Sequence, residues 1–243
     1  MDAKLHYDNH LAAFYSWMVG DFDVVQGHMT AYFQAHQLRP RSNGLALDLG
    51  AGTGLQTIAL ARLGFRVLAL DFNAHLLQEL RERAPELPVT TCEDDLLNFR
   101  RYLAGEAPEL VVCMGDTLPH LSSIEVVESL FHDCYQASAP GGRLVLSFRA
   151  LTQELLDTQR FLPVRSDANR IHTCFLEYFP TVVRVTDLLH ERAASGEWTQ
   201  KVSSYHKLQL DVNEVVRLLT QAQWQVISQE THQGMTYLFA ERH

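Results

Sequence analysis

The chain has 243 residues, 47% of them apolar, with four cysteines and a formal net charge of −9. That length suits one α/β domain with an elaboration, and no run of about 18 apolar residues marks a membrane span. The acidic balance, with no Lys/Arg-rich run, argues against a nucleic-acid partner, which needs a basic footprint.

The first ten residues carry no apolar signal region, so a cytoplasmic protein is expected. Residues 1–43 read as an N-terminal helical arm or lid. Its Phe14, Tyr15, Trp17, Met18, Tyr32 and Phe33 form an apolar face that suits either covering a cleft or plain helix docking. Residues 44–243 read as the main domain.

From 44 to 149, strand and helix patterns alternate with short turns, the mark of a parallel sheet covered by helices. Strands are predicted at 45–49, 65–70, 89–92, 110–114 and 143–148. Gly64 ends the first helix. Asn73 caps the second and Pro85 stops it. A helix is predicted around 96–103, and Ser122 or Ser123 caps another that carries Val126, Val127, Leu130 and Phe131. An antiparallel insertion follows at about 160–210, with strands predicted at 170–179, 181–192 and 197–209. Asp211 caps a last helix, and 224–231 pairs with 235–241 around Gln233-Gly234. The expected fold is α/β and doubly wound. A mostly parallel, seven-stranded Rossmann-like sheet carries an antiparallel β insertion after strand five and an N-terminal helical arm.

The richest segment is Leu45-Ala46-Leu47-Asp48-Leu49-Gly50-Ala51-Gly52-Thr53-Gly54. A buried strand ends in an acid, and three glycines then let the backbone turn tightly against a bulky ligand. A dinucleotide fingerprint needs glycine three residues after Gly52, where Leu55 stands. Pyrophosphate also prefers positive potential, which Asp48 opposes. Ligands of such sheets lie at the carboxyl ends of the strands, and four consecutive ends carry acids. Asp48 follows the first. Asp71 follows the second, placed to accept from two ribose hydroxyls. Glu93, Asp94, Asp95 and Leu96 follow the third, where a carboxylate and a backbone N–H suit an adenine edge. Asp116 follows the fourth. This acidic ring favours a cationic nucleoside over a phosphate-bearing one.

The Asp48–Gly54 run resembles the first motif of class I S-adenosylmethionine-dependent methyltransferases. Within that family, Val111-Val112-Cys113-Met114-Gly115-Asp116-Thr117-Leu118-Pro119-His120-Leu121 is similar to a run of the glycine and sarcosine N-methyltransferases, as is Leu146-Ser147-Phe148-Arg149. The resemblance covers about residues 44–149. It implies S-adenosyl-L-methionine as cofactor, held by Asp48, Gly50, Gly52, Gly54, Asp71, Asp94, Asp95, Leu96, Met114 and Gly115. It also implies a small-molecule acceptor, with nitrogen the likelier nucleophile. Asp116 would meet the cofactor ammonium or an amine, Arg149 an acceptor carboxylate, His120 would orient its loop or act as a base, and Tyr15 would lid the cleft.

A closed metal site is not indicated: the histidines form no H-x-x-x-H or H-E-x-x-H helix pattern beyond the terminal His6 and His10, and Cys92, Cys113, Cys134 and Cys174 are widely spaced. A cofactor-binding regulator without catalysis and a nicotinamide oxidoreductase are the competing readings. The insertion is expected either to cap the acceptor or to form a homodimer contact.

Overall fold

A parallel strand is covered on both faces and therefore needs apolar residues throughout. The strand β1 (Leu45–Leu49) meets that condition, buried at all five positions. It pairs with β2 (Arg66–Asp71) on one side and β4 (Leu110–Cys113) on the other, both parallel. The strands β3 (Val89–Glu93) and β5 (Arg143–Phe148) extend the sheet outward. Beyond β5 lie β11 (Met235–Arg242) and β10 (Trp224–His232), both antiparallel to their neighbours. The order is β10-β11-β5-β4-β1-β2-β3. Successive crossovers leave β1 in opposite directions, which opens a cleft at the strand ends beside it. The computed structural model describes residues 3–243.

One face of the sheet buries Leu47, Leu49, Phe131, Leu146 and Trp224 with the helices α6 (Ile124–Ala137) and α7 (Val212–Gln221). The other buries Phe33, Ala46, Leu60, Phe65 and Val112, where α3 (Phe22–Ala35) packs on α4 (Leu55–Arg62). The predicted caps of α5 (Ala74–Arg83) and α7 are present. Asn73 accepts from the Leu76 N–H, and Asp211 accepts from the Asn213 and Glu214 N–H groups. Ser123 occupies the cap position of α6. The helix expected around 96–103 is present as a 3-10 helix, Leu96–Tyr102.

The insertion is a sheet of four strands rather than the expected three, in the order β6-β7-β8-β9. These are β6 (Phe161–Ser166), β7 (Arg170–Tyr178), β8 (Val182–Arg192) and β9 (Trp198–Leu208). The extra strand β6 is exposed at every position, contains Pro163 and bulges after it, so it shows no period-two signal.

At the N-terminus α1 (Ala3–His6) runs through a π turn and a 3-10 turn into α2 (Tyr15–Val19). Met1 and Asp2, included in the expected arm, lie outside the described residues. These helices bridge the main sheet and the insertion. The Trp17 indole N–H donates to Asp167 at 2.6 Å, so Trp17 fixes α2 to the insertion and does not cover the cleft. No helix among the described residues is long and apolar enough to cross a membrane.

Candidate functional site

A cavity of about 500 Å³ lies at the carboxyl ends of β1 to β4. Ten of the fourteen residues singled out above line it: Tyr15, Gly50, Gly52, Asp71, Asp94, Asp95, Leu96, Met114, Gly115 and His120. Asp48, Gly54, Asp116 and Arg149 are not on its wall.

The turn after β1 explains part of that division. Its Gly50 and Ala51 N–H groups both donate to the Leu70 carbonyl at 2.9 Å, which ties the turn to β2. A Cβ on Gly52 would meet nothing within 4 Å, so this backbone faces open cavity. At Gly54, where φ is +92°, a Cβ would collide with Leu80 of α5. Helix packing by itself therefore requires glycine at position 54.

The expectation for Asp48 is corrected. Its side chain points beneath the turn, 1% exposed, and Oδ2 accepts from the Thr57 hydroxyl at 2.5 Å. Burial pushes its carboxyl up to about 7 against the pull of that hydrogen bond. Asp48 can act on the cavity only through the turn above it.

Asp71 is the buried acid that does face the cavity. Its Oδ2 accepts from the Gly52 N–H at 2.8 Å and its Oδ1 from the Asn73 N–H at 2.9 Å. A carboxylate offers about four lone-pair sites, so both oxygens retain capacity for a ligand's hydroxyls. Burial raises this carboxyl, and the two N–H bonds counter it. Across the cavity, Asp94 accepts from the Asp95 N–H, the Asn98 amide and the Tyr102 hydroxyl at 2.8–2.9 Å. The Asn98 and Tyr102 bonds hold the Asp94 carboxyl below its usual range. Asp95 caps the 3-10 helix by accepting from the Leu97 N–H.

After β4, the Gly115 N–H donates to Ser147 Oγ at 2.9 Å and the Asp116 N–H to the Ser147 carbonyl at 3.3 Å. Asp116 takes a left-handed φ of +72°, unusual for a residue with a Cβ. Its carboxylate is buried and fully engaged by neighbouring groups. Oδ1 accepts from the Arg149 N–H at 2.8 Å, while Oδ2 pairs with Lys207 and lies 3.5 Å from the Arg149 guanidinium. Burial opposes ionisation of Asp116, but Lys207 and Arg149 outweigh it and keep the carboxyl below its usual range. Asp116, expected to meet a ligand directly, is paired with Lys207 and Arg149 beside the cavity rather than on its wall.

His120 borders the cavity, and its Nδ1 is buried without a partner among the described residues. Burial, then Lys207, lower this imidazole to about 3 against the opposing charge of Asp116. It stacks on Tyr205 with ring centres 5.3 Å apart and meets Tyr7 edge-on. Burial pushes the Tyr15 hydroxyl up to about 12, helped by the Asp71 and Asp116 charges, so it stays protonated. Sequence reasoning missed Lys4 and Tyr7 on the wall. Nothing local marks them, because their place depends on how α1 docks on β9.

A glycine turn at the switch point of a parallel sheet, with an acid at the next strand end, defines a class of nucleoside-binding α/β domains. Residues 46–142 match a family model described as a methyltransferase domain. Over that segment the chain resembles S-adenosylmethionine-dependent methyltransferases, and the fold of the whole chain is shared with solved ones. It is 32% identical over 134 residues to a ubiquinone biosynthesis O-methyltransferase of Photorhabdus laumondii, an overlap covering 53% of each chain. The chain spans about half the length of the curated relatives it matches. Two solved structures share the fold over nearly the whole chain. One is CalS10, an amino pentose methyltransferase from Micromonospora echinaspora (18% identity, TM-score 0.73, 96% and 95% of the two chains). The other is the sugar N-methyltransferase KedS8 from Streptoalloteichus (14% identity, TM-score 0.72, 97% and 94%). The narrower likeness to glycine and sarcosine N-methyltransferases rests on the Val111–Leu121 and Leu146–Arg149 runs alone.

Proposed function

We propose that the cavity binds S-adenosylmethionine and that the protein moves its methyl group to a small-molecule acceptor, nitrogen being favoured over oxygen. One observation carries the reading. The Gly52 backbone opens onto the cavity and is hydrogen-bonded to Asp71, whose carboxylate also lines it. A side chain at Gly52 would fill that space, and Asp71 has acceptor capacity for two hydroxyls. The residues present therefore fit a nucleoside. When bound, the cofactor supplies an already activated methyl electrophile and a neutral leaving group.

The chain's own residues then have four tasks. Asp71 would hold the ribose. Asp94, Asp95 and the Leu96 backbone would hold the adenine edge, and Met114 with Gly115 would hold the methionine end. Tyr7 and Tyr15 close the cavity and exclude water, and so keep an acceptor in line with the methyl. Asp48 supports the turn from below, while Asp116 and Arg149 act by fixing the loop that carries His120. His120 borders the cavity and is neutral near physiological pH, so its imidazole can accept a proton from the attacking group.

Nitrogen is favoured because an amine attacks without prior deprotonation, and because the Val111–Leu121 run is similar to N-methyltransferases. The fold of a sugar N-methyltransferase points the same way. The O-methyltransferase relative keeps oxygen as a second reading, in which His120 becomes an obligatory base. A product assay by mass spectrometry with panels of small amines and of phenols tests this. Methylation of amines that survives in His120→Asn supports nitrogen. Turnover of phenols alone, lost in that variant, overturns it. Cofactor binding with no turnover of either panel would leave a binding protein rather than an enzyme.

A further inference from the structure

Beside the cavity, the insertion sheet holds a buried cluster that the methyl-transfer reading does not use. Cys174 on β7 sits directly opposite Asp187 on β8, and His172, two residues before Cys174, points from the same face. The three donor atoms all lie within 4.8 Å of one another. Asp187 Oδ1 is 3.1 Å from His172 Nε2 and 3.0 Å from Cys174 Sγ, and those two atoms are 3.8 Å apart. A tetrahedral zinc ion with ordinary bond lengths places its N, O and S ligands about 3.3–3.7 Å apart. The observed triangle needs only small adjustments to accept one. His172 and Asp187 are each 1% exposed.

The carboxylate has the surroundings of a metal ligand, while His172 Nδ1 is buried with no partner among the described residues. His6 of α1 donates Nε2–H to the other oxygen of Asp187 at 2.9 Å and is itself held by Ser203 at 2.8 Å from Nδ1. That is the outer hydrogen bond which orients a coordinating carboxylate. The mixed sulfur, nitrogen and oxygen set suits zinc over magnesium or calcium.

We propose that His172, Cys174 and Asp187 bind one zinc-like divalent cation, with His6 as the carboxylate's supporting partner and the fourth position left to water or ligand. Coordination replaces the Cys174 S–H···Asp187 hydrogen bond with a metal–sulfur bond and releases the thiol proton to solvent. The ion would fasten α1 to the insertion one residue before Tyr7, which lines the cavity. The proposal does not depend on what the cavity binds.

Cobalt(II) alone, titrated into the untagged, chelator-stripped chain, is the probe. One equivalent should bind with a thiolate-to-cobalt charge-transfer band and the intense visible bands of a four-coordinate ion. Zinc should displace it. Cys174→Ser should lose the charge-transfer band, Cys92→Ser should retain it, and His6→Gln should weaken binding about 10–100-fold. Failure of the folded wild-type chain to bind cobalt, binding without that band, or a band that survives Cys174→Ser overturns the proposal. The wild-type titration decides the matter alone if a variant does not fold.

Discussion

Asp48 and Asp71 lie near the ends of neighbouring strands, Asp48 opposite Ala69, yet their carboxylates do different things. Asp71 meets the cavity and the Gly52 N–H. Asp71→Ala removes that acceptor and the proposed ribose contacts, and should weaken S-adenosylmethionine binding by about 1–3 kcal/mol in calorimetry. Asp48 is buried on Thr57 with its carboxyl raised to about 7. A raised acid favours the folded state fully below its unfolded value, and that contribution is lost as pH rises towards 7. Wild-type stability should therefore fall between about pH 4 and 7 relative to Asp48→Asn, which should be more stable by about 2–4 kcal/mol at pH 8 in urea denaturation. His120 has the opposite sign. Its lowered imidazole stabilises the fold above about pH 6.5, and that contribution is lost as acid protonates it towards 3. Activity should show no inflection from His120 between about pH 6 and 8.

Residues at strand ends were the legible part of the site, because topology alone sends Gly52, Asp71, Asp94 and Gly115 to one edge. The direction of a side chain was less legible. Asp48 is held by Thr57, nine residues later, and Asp116, on a left-handed backbone, pairs with Lys207. Neither partner is visible in a strand-end pattern.

Among the elements, the glycine turn serves both ligand binding and folding. Gly52 faces space and Gly54 faces Leu80. Gly54→Ala should cost about 2–3 kcal/mol of stability through the Leu80 collision and its positive φ. Gly52→Val, at a φ of +52°, should lower the unfolding temperature and also abolish cofactor binding, as thermal unfolding and calorimetry would show together. The long strands of the insertion were legible because β7, β8 and β9 are rich in Thr, Val and aromatic residues. The edge strand β6 was not, because Pro163, a bulge and full exposure erase alternation. The helix after β3 tightened to 3-10 geometry where Asp95 caps a short connection.

For the whole molecule, the acidic wall of the cavity is the unifying property. Asp71, Glu93, Asp94 and Asp95 all line it, in a chain of net charge −9. A sulfonium nucleoside gains from that field and a pyrophosphate loses. The doubly wound sheet was legible from its alternating elements, whereas the docking of α1 on β9 depends on contacts between residues nearly 200 positions apart. Calorimetric titration of the unaltered chain with S-adenosylmethionine, and separately with NADH, tests this directly. One S-adenosylmethionine should bind per chain, with no heat from NADH. NADH binding with no uptake of S-adenosylmethionine would contradict it.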